Sequence, residues 1–218
     1  AQVQLTQNGQ AQGVIVHNGH DKRPAGIPAS PNGTPSDAIK SPADFLQQYL
    51  QKMTGAELPM VETADDAAGK PAVVLKVVDK VKGASDEDTG DHAYRIKTAG
   101  NRVTLTAANG KGLNNAVFGL LEDHLGCGFY TYRYSRHSHG VSRYEGPGTE
   151  VVPERPSLTI PKIDDFQEPA FATRGLIFRM GSYPWLLKNR AIGVGGNTSG
   201  ALAAGHNFYS HLPPTDKK

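Results

Sequence analysis

Cysteine is nearly absent. Cys127 is the single one in 218 residues, so no disulfide forms within the chain and packing has to supply the stability. Long apolar runs are missing too: nothing approaches the roughly 20 residues of a membrane-spanning helix. There is no surplus of one charge. The net charge is +2 and the Lys and Arg residues do not cluster, which excludes the basic face expected of a nucleic-acid binder. Motif chemistry is equally sparse. No HExxH helix occurs, and the glycine-rich stretch 193–200 lacks the Lys-Ser/Thr ending of a phosphate loop and does not match G-x-G-x-x-G, so it reads as a flexible loop. There is no internal repeat, no low-complexity tract and no charged-then-apolar leader. The start at Ala1-Gln2-Val3 is compatible with a mature terminus after signal cleavage and equally with trimming; export is the expectation.

What is present describes a globular protein. Apolar residues make up 38% and charged residues 20%, enough for one ordinary core plus extra segments. The 25 glycines and 15 prolines predict long loops, the longest at 18–40. Val14, Ile15 and Val16 open a strand. Ser41-Pro42-Ala43-Asp44 is a helix start: the Ser hydroxyl caps free N–H groups, Pro suits the first turn, and Asp faces its positive end. Phe45, Leu46, Tyr49, Leu50 and Met53 then recur at helical spacing, and Gly55 stops the helix. The β-branched run 73–78 predicts a strand. Tyr94 and Ile96, then Val103 and Leu105, alternate with polar residues around the tight turn Ala99-Gly100-Asn101, the pattern of a hairpin. Leu113, Ala116, Val117, Leu120, Leu121 and Leu125 predict a second helix over 112–124, ended by Gly126, with a short strand at 127–130. The stretch 151–169, with Pro153, Pro156, Pro161 and Pro169, has the composition of a linker, and another apolar strand follows at 175–178. The expected fold is α+β, a mixed β-sheet with two helices packed on one face.

The two helices also carry a family resemblance. The segment from Ala43-Asp44-Phe45-Leu46 through Tyr49-Leu50 to Thr54-Gly55-Ala56-Glu57-Leu58-Pro59 resembles the A-x-x-L-x-x-Y-L-x-x-x-T-G-x-x-L-P helix in the domain preceding the barrel of bacterial α-glucuronidases and β-hexosaminidases. The segment from Gly112 through Ala116-Val117 to Leu125-Gly126-Cys127-Gly128-Phe129-Tyr130 is similar to that domain's second helix, G-x-x-x-A-V-x-x-L-L-E-x-x-L-G-C-R-W-F, with Gly128 where Arg is usual. Pro169-Ala170-Phe171-Ala172-Thr173-Arg174-Gly175 resembles the P-x-F-x-x-R-G opening of the β-hexosaminidase catalytic (β/α)8 barrel. By that resemblance Arg174 is a substrate contact, although Phe178-Arg179-Met180 stands where an Asp usually follows. Gly205-His206-Asn207-Phe208-Tyr209 resembles a motif early in the barrel of uncharacterised secreted relatives, which makes His206 a further candidate contact. The resemblance implies a β-hexosaminidase domain-2-like accessory domain over 1–160, a linker over 161–172, and the start of an incomplete barrel over 173–218. A barrel needs about 250 residues, and about 45 follow Thr173.

Glycoside hydrolysis normally places two carboxyls about 5 to 9.5 Å apart across the scissile bond. Asp164, Asp165 and Glu168 are candidates by type, but in a Pro-rich segment they read as solvated, and in the resembled enzymes the pair comes from later barrel strands. No catalytic residue is therefore assigned. His17, His20, Asp21, His137 and His139 read as loop residues, so no metal and no cofactor is expected. Cys127 reads as a small buried side chain. Tyr130, Tyr132, Tyr134 and Tyr144 are candidates for stacking on sugar rings; Tyr130 and Tyr132 read equally well as one face of a strand. The expected function is that of a non-catalytic N-terminal domain of a secreted glycoside hydrolase, meeting carbohydrate through the rest of the barrel, with no nucleic-acid partner. The alternatives are a stand-alone carbohydrate-binding module or a structural, partner-binding domain. The tail 181–218 is expected to be mobile or to lie against the first domain.

Overall fold

The computed structural model describes residues 2–17, 41–130, 150–171 and 187–190. Along the chain run β1 (Val3–Gln4), β2 (Thr6–Gln7), β3 (Gln10–Ala11), β4 (Val14–His17), α1 (Pro42–Thr54), β5 (Met60–Val61), β6 (Ala72–Val77), β7 (Tyr94–Ala99) and β8 (Arg102–Ala107). They are followed by α2 (Gly110–Gly119), a π-helical turn (Leu120–His124), β9 (Gly128–Phe129), β10 (Glu150–Val151), β11 (Thr159–Ile160) and β12 (Asp164–Gln167). Six strands form one mixed sheet in the order β12-β7-β8-β6-β4-β5. Strands β5, β4, β6 and β8 run parallel, while the β7–β8 hairpin and β12 add antiparallel pairs.

The helices form for local reasons. At the head of α1, Ser41 Oγ accepts from the Asp44 N–H while the Asp44 carboxylate accepts from the Ser41 N–H, a reciprocal capping box. Its far end closes on Gly55 at φ 77°, a left-handed conformation that a glycine adopts without strain. The apolar stripe Phe45, Leu46, Tyr49, Leu50 and Met53 is buried in full. At α2 the side chain of Asn109 accepts from the N–H groups of Lys111 and Gly112. Gly112 is required by closeness, since a Cβ there would lie 2.8 Å from Ala107 Cβ.

Both helices pack on the same side of the sheet. Val73↔Val103, Leu75↔Leu105, Ile96↔Leu105 and Ile15↔Val73 are register partners, so their side chains line one face and meet the helical stripes in the main core. Alternation along β7 and β8 puts Arg95, Lys97, Thr104 and Thr106 on the other face. Four rings bind the helices to β9: Phe118 meets Phe45 and Phe129 edge-on at 5.3 Å each, and Tyr49 meets Phe129 at 5.2 Å. The expected mixed sheet with two helices on one face is therefore the observed arrangement.

Two readings change. The second helix does not run regularly to residue 124, because its last part widens into the π turn, with the Leu125 N–H bonding the Leu120 carbonyl five residues back. The stretch read as linker contributes β11 and β12. Residues 164–167 pair with 94–97 of β7 and form the outer strand of the sheet, and Phe166 packs against the small cluster of Val81, Ala84 and Ala93. Proline content hid this strand because its prolines, Pro161 and Pro169, flank it rather than interrupt it. The loop 18–40 and the barrel strand expected at 175–178 lie outside the described residues.

Candidate functional site

Polar chemistry concentrates where the C-terminal ends of the helical layer meet residues 187–190. The π turn presents Glu122 and Asp123 side by side. The Arg190 guanidinium donates to Asp123 Oδ2 at 2.6 Å, to Glu122 Oε2 at 3.0 Å and to Tyr94 Oη at 3.2 Å. Tyr94 reaches this point because α2 has no side chain in its way: a Cβ at Gly119 would lie 2.4 Å from Tyr94 Oη. Burial raises the Glu122 carboxyl above the ordinary carboxylate range, and the Arg190 charge offsets part of that rise. Beside this group lies a cleft of about 290 Å³ bordered by Tyr94, Asn115, Gln167, Glu168, Pro169 and Arg190.

A second cluster sits on the other flank of residues 187–190. Glu150, at the head of β10, accepts from Tyr49 Oη at 2.8 Å, from Lys52 Nζ at 3.0 Å and from Lys188 Nζ. Both lysines also lie over aromatic rings, Lys52 at 4.8 Å and Lys188 at 5.6 Å from the Tyr49 centroid. Burial on its own would raise the Glu150 carboxyl, but the hydrogen bonds from Lys188 and Tyr49 outweigh it and hold the group at about 2. Burial together with this carboxylate pushes the Tyr49 hydroxyl well above the ordinary tyrosine range. Such a fixed, fully ligated carboxylate is an anchor, with no proton to exchange near neutral pH.

The three carboxylates considered for hydrolysis are engaged elsewhere. Asp164 pairs with Arg95 and with Lys97, the latter at 3.1 Å. Hydrogen bonds from Lys97 and Arg95 hold its carboxyl below the usual range. Asp165 meets His124 Nε2 at 3.2 Å and accepts from Gln167 at 2.9 Å. Glu168 accepts from the Ser85 hydroxyl and N–H and from the Thr89 hydroxyl, which lowers its carboxyl. Asp164 keeps the solvent exposure expected of it, at 43%, yet all three act as ties that fasten β12 to β7, to the π turn and to the loop after β6. Cys127 is 7% exposed, and burial pushes its thiol up to about 11, matching the expectation of an inert packing residue.

Of the candidate sugar contacts, Tyr130 is 68% exposed just beyond β9. Tyr132, Arg174 and His206 lie outside the described residues, as do Tyr134, Tyr144, His20, Asp21, His137 and His139. Among the described residues no group of three or more His, Cys, Asp or Glu side chains is arranged to hold a metal ion, and no helix is long and apolar enough to cross a membrane. Sequence reasoning missed Arg190, Glu122, Asp123 and Glu150. Their partners are up to 101 residues away along the chain and leave no local spacing signal.

No protein-family model and no curated protein matches the chain. Among solved structures, it aligns with a Streptomyces plicatus β-hexosaminidase over 80% of its own length and 25% of that chain, at 15% identity and a TM-score of 0.43. It aligns with a Vibrio harveyi GH20 exo β-N-acetylglucosaminidase over 79% of its length and 18% of that chain, at 13% identity and a TM-score of 0.41. A GH20 β-N-acetylhexosaminidase from Streptomyces coelicolor A3(2) is matched over 55% of this chain and 18% of its own, at 20% identity and a TM-score of 0.32. The chain thus spans a quarter or less of the length of these solved proteins.

Proposed function

We propose that this chain is a non-catalytic accessory domain of a secreted glycoside hydrolase, and that the carboxylates cleaving the sugar bond belong to barrel strands beyond those it contains. One observation carries the reading: Asp164, Asp165 and Glu168 are each engaged by structural partners, and Glu168, which borders the cleft beside Arg190, is the one carboxylate among the described residues lining it, so no facing pair of carboxyls stands across that cleft. The two segments that carry the family resemblance support it, because they fold as α1 and α2, the helices that build the core. The role that remains is mechanical. The domain buries one side of a neighbouring catalytic unit and shapes its entrance.

The test is a panel of aryl glycosides, including N-acetylhexosaminides and glucuronides, offered to the purified chain. No turnover above the buffer rate is expected, together with a natural product several hundred residues larger than this 23.3 kDa chain. Strong hydrolysis by the chain alone would refute the reading. The second reading, a carbohydrate-binding module, is favoured by the exposure of Tyr130. A saturable response on titrating oligosaccharides, mapped to that ring, selects it over a purely structural role.

A further inference from the structure

Residues 187–190 are held at every position. The Leu187 side chain is 8% exposed in the main core. Its carbonyl accepts at 2.9 Å from the amide of Asn114, a polar side chain only 2% exposed on α2. Lys188 meets Glu150 and lies over the Tyr49 and Phe129 rings. Asn189 donates to the Phe129 carbonyl at 3.2 Å. Arg190 adopts φ 55°, a left-handed conformation that disfavours a residue with a Cβ, and its guanidinium is fastened by Asp123, Glu122 and Tyr94. An interior amide, an acidic pair and a carboxylate of the α+β unit all find partners in this one short segment.

We propose that the surface formed by Asn114, Glu122, Asp123, Phe129 and Glu150 is a docking site for the segment 187–190, a two-point clamp in which Lys188 and Arg190 fix where the chain leaves the α+β unit. The occupant follows from complementarity. The surface offers two separate negative points on either side of an apolar seat, and the segment offers two cations flanking Asn189 behind a buried leucine. The clamp gives the chain a fixed point on the α+β unit, and it does not rest on the accessory-domain reading.

Trypsin cuts after Lys188 and Arg190, so mass spectrometry of a limited digest of the full chain reads the clamp directly. Cleavage after Lys188 is expected to be slow in the unaltered chain. Glu122→Gln with Asp123→Asn is expected to speed it at least about tenfold, the response to losing charge-assisted hydrogen bonds. Hydrogen exchange in β6–β8 should stay unchanged. The reciprocal pair Asp123→Arg and Arg190→Asp is expected to restore protection. The unaltered chain provides an independent reading, since raising salt from about 0.1 M to about 1 M screens the exposed rim of the ion pairs and should speed the cut. Rapid cleavage of the unaltered chain at low salt, or cleavage indifferent both to salt and to the charge-neutral variant, overturns the proposal.

Discussion

Replacing Glu150 by Gln removes one negative charge from between two lysines while leaving an oxygen to accept from the Tyr49 hydroxyl. In the folded protein the Glu150 carboxyl is lowered from the ordinary 4.5 to about 2, because the hydrogen bonds from Lys188, Tyr49 and Lys52 outweigh its burial. Each pH unit of such lowering corresponds to about 1.4 kcal/mol, which gives about 3 kcal/mol in all. The side chain is 24% exposed, so solvent screening brings the expected contribution nearer to about 2 kcal/mol. The sign follows from linkage. A depressed carboxyl stabilises the fold above its unfolded value of 4.5, and that stabilisation is lost as pH falls from 4.5 towards about 2. Urea unfolding followed by circular dichroism should therefore find Glu150→Gln less stable than the parent by about 2 kcal/mol near neutral pH. Most of that gap should vanish by about pH 2.5 to 3. Asp164 and Glu168 titrate alike in both proteins and cancel in the difference. A gap of the same size at both pH values would refute the assignment, for it would make the effect one of shape rather than charge.

Three other substitutions or treatments probe separate features. Gly119→Ala drives a methyl group against Tyr94 Oη, a 2.4 Å approach, and should cost about 1 to 3 kcal/mol in thermal unfolding. An unchanged melting temperature would mean that the tyrosine is not held there. Ser41→Ala removes one half of the capping box and should cost about 1 kcal/mol by the same assay, with Ser41→Asp recovering most of it. Cys127, with its thiol pushed up to about 11 and buried, should resist iodoacetamide near neutral pH until denaturant is added. Prompt alkylation of the folded protein would contradict its placement.

The parts of this fold legible in the sequence are those whose causes are local. Ser41, Asp44 and Gly55 announce the limits of α1 through backbone hydrogen bonding, and the alternation around Gly100-Asn101 announces the β7–β8 hairpin, whose register closes at Ala99↔Arg102. The strand at 164–167 was illegible because Asp164, Asp165 and Gln167 look solvated until Arg95, Lys97 and His124 are known to stand beside them. The π turn was hidden for a related reason: Leu120, Leu121 and Leu125 keep a helical apolar pattern while the hydrogen bonding shifts by one residue. At the candidate site, Tyr130 was visible as an aromatic next to a short strand. Arg190 lies in a stretch with little periodicity, and its significance arises only from the distant Glu122 and Asp123.

The outer position of β12 has a further consequence. A sheet margin is an invitation to a neighbouring molecule, because its unpaired N–H and carbonyl groups can accept one more strand. Here the margin is four residues long, Asp164–Gln167, with a proline three residues before it and another two residues after it. Asp164 adds a charge that an incoming β-strand would have to accommodate, and the opposite margin, β5, is only two residues long. Among the described residues both margins are short, and the prolines beside β12 limit how far a pairing strand could extend, so the proline-rich composition that disguised the last strand also discourages edge-to-edge growth.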